Sequence, residues 1–332
     1  MTQTPSTLIG KFVDDDPLFS VIIPCFNRSQ FIHRSAQSVL KQKHARTEII
    51  VVDDGSDEDL TVPLAECLDD LIYVRKDNGG VCSARNAALH IARGKWIVLV
   101  DSDDFLAEDY LKQLSGEIQA NPEVLAFVPN LFFFGDSKYS GTYSLDRAPI
   151  TGEITFDQFV LGKIVLAGCS VFKTELLKKL GGWNEHQTAS EDFELWMRIL
   201  HSGAKVRSVA SMIYHYQRHS ISISASKPEV LLLDGRKALA SFSSSHILLG
   251  TNLDAVRRKN QEFNAELSWL SFKDALRRQS MAELVDHYFQ LQANSQVPRQ
   301  THAKAFFIFY FSKLFGIERI GELIKASGKR LE

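Results

Sequence analysis

Trp96-Ile97-Val98-Leu99-Val100-Asp101-Ser102-Asp103-Asp104 runs from five consecutive apolar residues directly into a carboxylate-rich tetrad. Apolar residues at successive positions, rich in valine and isoleucine, mark a strand covered on both faces, which is the habit of parallel sheets in α/β domains. Three upstream runs have the same character: Ser20-Val21-Ile22-Ile23, Glu48-Ile49-Ile50-Val51-Val52 and Leu71-Ile72-Tyr73-Val74. The stretches between them read as helices. Phe31, Ile32, Ser35, Ala36, Val39 and Leu40 form one largely apolar face, and Ala84, Ala87, Ala88 and Ile91 form a narrow stripe. Arg93-Gly94 supplies a stop for the second helix, with the glycine expected in a left-handed C-terminal turn. Four β-α repeats in this order predict an α/β fold, a doubly wound sheet with its ligand at the carboxyl ends of the strands.

Past Asp104 the pattern is mixed. A helix is expected over Tyr110 to Ile118, strands over Leu125 to Val128, Leu131 to Phe134 and Ala167 to Phe172, and a polar segment from Tyr214 to Ser222 after a further strand. From Pro228 onward the pattern is helical. The expected organisation is a polar N-terminal extension over 1–18, an α/β domain over 19–226 and a helical region over 227–332.

Bulk properties exclude several classes. A net charge of -2 gives no general pull toward nucleic acid. Cys25, Cys67, Cys82 and Cys169 contain no C-x-x-C pair, which argues against a zinc knuckle or a dense disulfide framework. Met1 to Asp16 is polar and lacks the basic start and apolar stretch of a signal peptide, so a cytoplasmic setting is expected. The first strand runs into Pro24-Cys25-Phe26-Asn27-Arg28 with no G-x-G-x-x-G, against a nicotinamide dehydrogenase.

Two acidic clusters follow predicted strands directly: Asp53-Asp54-Gly55-Ser56 and Asp101-Ser102-Asp103-Asp104. Each has a structural reading as a turn or helix cap. Taken together, carboxylates converging on one crevice repel one another unless a cation or hydrogen-bond donor sits between them. Magnesium or manganese would fit, since these ions bridge a few carboxylates to substrate phosphates. Between the clusters, Asn78-Gly79-Gly80 leads into a helix carrying Arg85, a pattern suited to a phosphate or nucleotide. Glu191 and Asp192 open another helix. Thr188 and Glu191 have capping-box spacing, which gives Glu191 a structural task and leaves Asp192 as the better candidate for chemistry.

The order of these motifs resembles the family 2 inverting glycosyltransferases, which use nucleotide-sugar donors and include cellulose, chitin and hyaluronan synthases and bacterial polysaccharide enzymes. The resemblance runs from Phe19 to Ser224. It rests on Val21-Ile22-Ile23-Pro24-Cys25-Phe26-Asn27, with Phe26 where the family commonly has tyrosine, on Asp53-Asp54-Gly55-Ser56, Asn78-Gly79-Gly80 with Ala84-Arg85-Asn86, Asp101-Ser102-Asp103-Asp104, Gly181-Gly182-Trp183 and Glu191-Asp192. It implies the GT-A fold, with a mixed, mainly parallel sheet. It also implies a UDP-sugar donor, a glycan or lipid-linked acceptor and a divalent Mn2+ or Mg2+ ion. Carried over, Asp54 would bind the uracil ring with Asp53 beside it, and Arg85 would contact the nucleotide. Pro24, Phe26, Asn27, Ser102 and His219 would line the donor site. Asp103 would hold the metal with Asp101 and Asp104, and Asp192, next to Glu191, would be the catalytic base. Tyr216, His219, Ser222 and Ser224 match a family loop in which Gln217 replaces an expected arginine, a role Arg218 could take. The alternative is a catalytically silent nucleotide-sugar-binding protein of the same fold.

Ala305 to Ile317 is apolar nearly all round and too short to span a bilayer, which needs roughly 20 such residues. The plainer reading is a helix buried against the catalytic domain or a partner subunit. The other is an interfacial helix at the inner membrane face, with Lys304, Lys313, Lys325, Lys329 and Arg330 compatible with it.

Overall fold

A computed structural model describes residues 7–9, 16–42, 46–164, 166, 168–219, 228–294, 297–318 and 320. The chain separates into two units, Met1–Ser226 and Lys227–Glu332.

The first unit is built on one sheet of ten strands. These are β1 (Thr7–Ile9), β2 (Phe19–Cys25), β3 (Thr47–Asp53), β4 (Ile72–Arg75), β5 (Trp96–Leu99), β6 (Phe105–Leu106), β7 (Val124–Gly135), β8 (Gly152–Glu153), β9 (Val171–Lys173) and β10 (Lys205–Arg218). Their order is β1-β4-β3-β2-β5-β9-β7-β10-β6, with β8 paired to β10. The helices are α1 (Ser29–Leu40), α2 (Thr61–Leu64), α3 (Val81–Ile91), α4 (Tyr110–Ala120), α5 (Ser144–Arg147), α6 (Phe156–Val160), α7 (Thr174–Lys179) and α8 (Glu191–His201).

β2 is buried along its whole length, as its unbroken apolar run requires. It pairs in parallel with β3 on one side and β5 on the other, and β3 pairs in parallel with β4. The chain thus leaves β2 toward β3 and β4 and then crosses back to β5. That reversal opens a crevice beyond the carboxyl ends of β2, β3 and β5, where open α/β sheets bind ligands. β9 enters antiparallel between β5 and β7, which makes the sheet mixed.

Several expectations change in detail. The polar N-terminal extension contributes β1, an antiparallel edge strand on β4. The two strands expected at Leu125–Val128 and Leu131–Phe134 are one, β7, which passes through Pro129. Proline lacks the N–H a central strand needs. The partner β10 accommodates it with a register shift between Val209 and Ile213, opposite Pro129 and Asn130. The first five residues of the segment expected to be polar, Tyr214 to Arg218, are the end of β10. The helix stop also differs. α3 ends with Ala92 in an extended conformation, and Gly94 has no left-handed φ. A Cβ on Gly94 would instead lie 2.4 Å from the Ser20 backbone nitrogen, so close chain approach explains this glycine.

The second unit holds α9 (Pro228–Ser245), α10 (Gly250–Arg277), α11 (Met281–Ala293) and α12 (Arg299–Phe315). Its core includes Phe272, Leu276, Leu284, Tyr288, Leu291, Ala305 and Phe309. α12 buries one face, with Ala305, Phe309 and Ser312 inside, while Phe306, Phe307, Tyr310 and Phe311 on the other face are 44–60% exposed. Among the described residues no helix is long and apolar enough to cross a membrane.

Candidate active site

The end of β3 carries Asp53 and Asp54, both buried. Asp53 accepts hydrogen bonds from the Tyr73 hydroxyl at 2.7 Å, the Arg75 guanidinium at 2.7 Å and the Ser56 N–H at 2.8 Å. Asp54 accepts from Lys76 Nζ at 2.6 Å and from the N–H groups of Gly79 at 3.1 Å and Gly80 at 2.7 Å. Each carboxylate therefore has its own cation, supplied by the end of β4 and the residue after it. Gly79 and Gly80 precede α3, so Asp54 is the anion that this helix terminus attracts. The glycine amides hold a carboxylate of the chain itself, and the Asp54 side chain, only 3% exposed, organises the loop. Arg75 and Lys76 escaped the sequence reading, although two adjacent cations one strand after two adjacent aspartates are a legible signal.

On α3, Arg85 is 3% exposed and reaches three carboxylates: Asp101 at 3.2 Å, Glu191 at 3.1 Å and Asp192 at 3.3 Å. Burial alone would lower the guanidinium's proton affinity, but Asp192, Asp101 and Glu191 together hold it above the ordinary range. Its Nε is buried with no hydrogen-bond partner. Arg85 is thus a hub that ties the loop after β5 to the start of α8. One guanidinium against three carboxylates leaves an excess of negative charge.

Asp192 is part of that excess. Burial raises its carboxyl to about 7, and Glu191 and Asp101 push the same way, against Arg85 and a hydrogen bond from the Gly168 backbone. Its side chain is still 30% exposed, enough to meet a substrate. A Cβ on Gly168 would lie 2.6 Å from Asp192 Oδ1, so a side chain there must displace the Asp192 carboxylate. Sequence reasoning missed Gly168 because its neighbour is remote in the chain. α8 begins at Glu191 with Ser190 as N-cap. Glu191 is thus the first helical residue, not the third that a capping box would use, and it also anchors Arg85.

The tetrad after β5 divides in two. Asp101 and Asp103 keep 30% and 24% of their side chains exposed, and Asp103 Oδ2 lies 3.3 Å from His219 Nε2. Burial, and then Asp101, raise the Asp103 carboxyl above the usual range. Asp104 points inward at 1% exposure, accepting from the Tyr214 hydroxyl at 3.0 Å and the Gln217 N–H at 2.6 Å. It braces the end of β10, and burial, followed by repulsion from Asp101 and Asp103, pushes its carboxyl well up. Tyr214 also accepts from the Asp101 N–H at 3.0 Å. From α1, Ser35 donates to the carbonyls of Ser102 at 2.8 Å and Asp104 at 2.6 Å, and Arg34 donates to that of Asp103 at 2.5 Å and to the Gln217 side chain. Among the described residues no group of three His, Cys, Asp or Glu side chains converges as a ready metal cage. Two exposed carboxylates nevertheless fit a magnesium- or manganese-type ion whose other ligands are substrate phosphates and water.

Near the end of β2 Pro24 is buried, and just beyond it Phe26 is 47% exposed. Asn27 takes a left-handed φ of 52° and exchanges hydrogen bonds of 2.9 Å with Asp57. Asn86 holds the glycine-glycine-tryptophan segment: it accepts from the Trp183 N–H at 2.9 Å and donates to the Trp183 carbonyl at 2.8 Å. Arg218 lies over Phe133, Tyr139 and Tyr216. Ser222 and Ser224 lie outside the described residues, as do Lys325, Lys329 and Arg330.

Comparison with known proteins gives concordant matches. The profile of the family described as "Glycosyl transferase family 2" matches residues 20–181. The UDP-Glc:alpha-D-GlcNAc-diphosphoundecaprenol beta-1,3-glucosyltransferase WfaP of Escherichia coli is 30% identical over 220 residues, 65% of this chain and 83% of WfaP. An uncharacterized glycosyltransferase of Rickettsia conorii is 33% identical over 201 residues, and there the match spans 58% of this chain and 31% of that protein. TarS 1-349 of S. aureus in complex with UDP-GlcNAc superposes with a TM-score of 0.62 at 19% identity, over 95% of this chain and 93% of that one. The mannosyltransferase PcManGT of Pyrobaculum calidifontis, in complex with GDP-Man and Mn2+, gives 0.59 at 16% identity, over 92% and 83%. At such identities the two structures attest a shared fold.

Proposed function

Because the chain belongs to glycosyl transferase family 2, we propose that it transfers a sugar from a UDP-sugar to a glycan or lipid-linked acceptor in cell-surface polysaccharide synthesis, inverting the anomeric configuration. The observation that carries this reading is the Arg85 hub. It fixes Asp192, Glu191 and Asp101 within hydrogen-bonding reach of one guanidinium, so a proton acceptor stands beside the loop suited to a donor diphosphate. WfaP, by its name, uses UDP-Glc and a diphosphoundecaprenol-linked acceptor, and TarS is seen with UDP-GlcNAc, which favours uridine diphosphate donors and lipid-linked acceptors here. A cytoplasmic location, where activated sugars are made, suits such a donor.

In the proposed reaction the acceptor hydroxyl oxygen bonds to the anomeric carbon as the bond from that carbon to the diphosphate oxygen breaks. Asp192 takes the hydroxyl proton, a role typically worth about 10²–10⁴-fold. A carboxyl raised to about 7 by burial is a stronger base than an ordinary aspartate and is still ionised above neutrality. Arg85 and Gly168 hold it in place, and Glu191 keeps Arg85 in place. Asp101 and Asp103 would hold a Mn2+ or Mg2+ ion, which when bound neutralises charge on the departing diphosphate. Asp53 and Asp54 fix the loop at the end of β3 that forms the nucleotide side of the crevice. Phe26, half-exposed after β2, offers an aromatic face there, with Pro24 and Asn27 shaping its turn.

The test is a donor panel on purified protein, following nucleoside diphosphate release and the anomeric configuration of the product by NMR. Calorimetric titration with uridine diphosphate, with and without Mn2+, accompanies it. Retained anomeric configuration would overturn the single-displacement assignment, and titration with no effect of Mn2+ would overturn the metal assignment.

A further inference from the structure

α12 is apolar on two opposite faces, one buried in its own unit and the other partly exposed. At about 100° per residue, Phe306, Phe307, Tyr310 and Phe311 span an arc of about 140°, opposite the buried Ala305, Phe309 and Ser312. The outward side chains are 44%, 60%, 44% and 45% exposed. Ring contacts join three of them: Phe307 to Phe306 at 5.9 Å and Phe306 to Tyr310 at 4.4 Å. Contiguous apolar surface of this kind marks a binding face.

Charge identifies the occupant. The 17 residues of α12 contain no aspartate or glutamate, while Arg299, Lys304 and Lys313 are all exposed. Lys304 and Lys313 fall at the two edges of the aromatic arc. Aromatic residues facing outward, with lysines at the borders whose stems can lie along apolar surface while their heads stay in water, form the pattern of a helix lying in a bilayer interface. The helix is too short to cross a bilayer.

We propose that the second unit docks on an anionic membrane surface through the Phe306, Phe307, Tyr310 and Phe311 face of α12, with Lys304 and Lys313 meeting lipid phosphates. The purpose of such docking rests on the lipid-linked acceptor reading above; the binding itself does not.

The experiment is co-sedimentation of the full chain with vesicles of phosphatidylglycerol and phosphatidylethanolamine, and separately of phosphatidylcholine. The wild-type chain is expected to pellet with the anionic vesicles and to be released by added salt. Phe306→Ser with Phe307→Ser should lower partitioning at least tenfold, and Lys304→Gln with Lys313→Gln should lower it for anionic vesicles alone. Unchanged thermal melts in both variants keep unfolding out of the result. Nucleoside diphosphate release from a UDP-sugar in vesicle-free buffer is expected to be the same in both variants, so a protein that binds vesicles without turnover would break the proposed function and leave docking standing. Failure of the wild-type chain to bind vesicles would overturn the proposal. A dimer in sedimentation velocity that the aromatic variant dissociates would overturn it as well, making the occupant a second copy of the chain.

Discussion

At the end of β3, Asp53 and Asp54 face Arg75 and Lys76 one to one; after β5 and at the start of α8, Asp101, Asp103, Glu191 and Asp192 share Arg85 and His219. Both acidic groups sit at the carboxyl edge of the same sheet. The matched pair is buried, each carboxylate neutralised by its own cation, and it shapes a loop. The unmatched group keeps partly exposed carboxylates and raised proton affinities at Asp103 and Asp192, which is how a site poised for a cation and a proton looks before substrate arrives.

The largest effect should come from the unmatched group. Asp192→Asn is expected to lower kcat about 10²–10⁴-fold while leaving uridine diphosphate affinity within a few-fold, read by product formation and calorimetry. Equal activity in the variant would move the base elsewhere. The matched pair should answer in the opposite currency: Lys76→Met strands a buried Asp54 and is expected to cost about 3–5 kcal/mol of stability in urea unfolding. Adding Asp54→Asn to it should restore a large part, because the stranded charge is gone.

Next in size is Gly168→Ala, whose new methyl must displace Asp192. We expect about a tenfold or greater loss in kcat with an unshifted melting temperature at neutral pH, and retained activity would show that Asp192 tolerates displacement. Transfer should also fall about tenfold per pH unit below about 7, because a base must be ionised and burial holds the Asp192 carboxyl at about 7. The smallest effect is on stability. A carboxyl raised above its ordinary value of 3.8 binds its proton more tightly folded than unfolded, so its ionisation costs stability fully above pH 7 and not at all below 3.8. Asp192→Asn should therefore melt a few degrees higher than wild type at pH 8, an advantage that shrinks toward pH 4.

Much of this was legible in the residues. Four unbroken apolar runs identified β2 to β5, since a strand covered on both faces has no room for alternation. Asp101 and Asp103 were singled out because acidic residues directly after such a strand emerge at the crevice, whereas the contacts of Arg85 with Asp101 and Asp192 were not foreseen. β1 was missed because three residues carry no periodicity, and β7 was split because Pro129 reads as a breaker until the shifted register of β10 opposite it is seen.

What the sequence determined by itself is which residues stand at the carboxyl edge of the sheet, because that follows from runs and turns read locally along the chain. Which of those carboxylates are spent and which are open was decided only by tertiary structure. Neutralisation depends on partners far away in the chain: Lys76 lies 22 residues from Asp54, Tyr214 lies 110 from Asp104 and Arg85 lies 107 from Asp192. Electrostatic balance at the site is a property of those distances in space, and composition along the chain does not encode it.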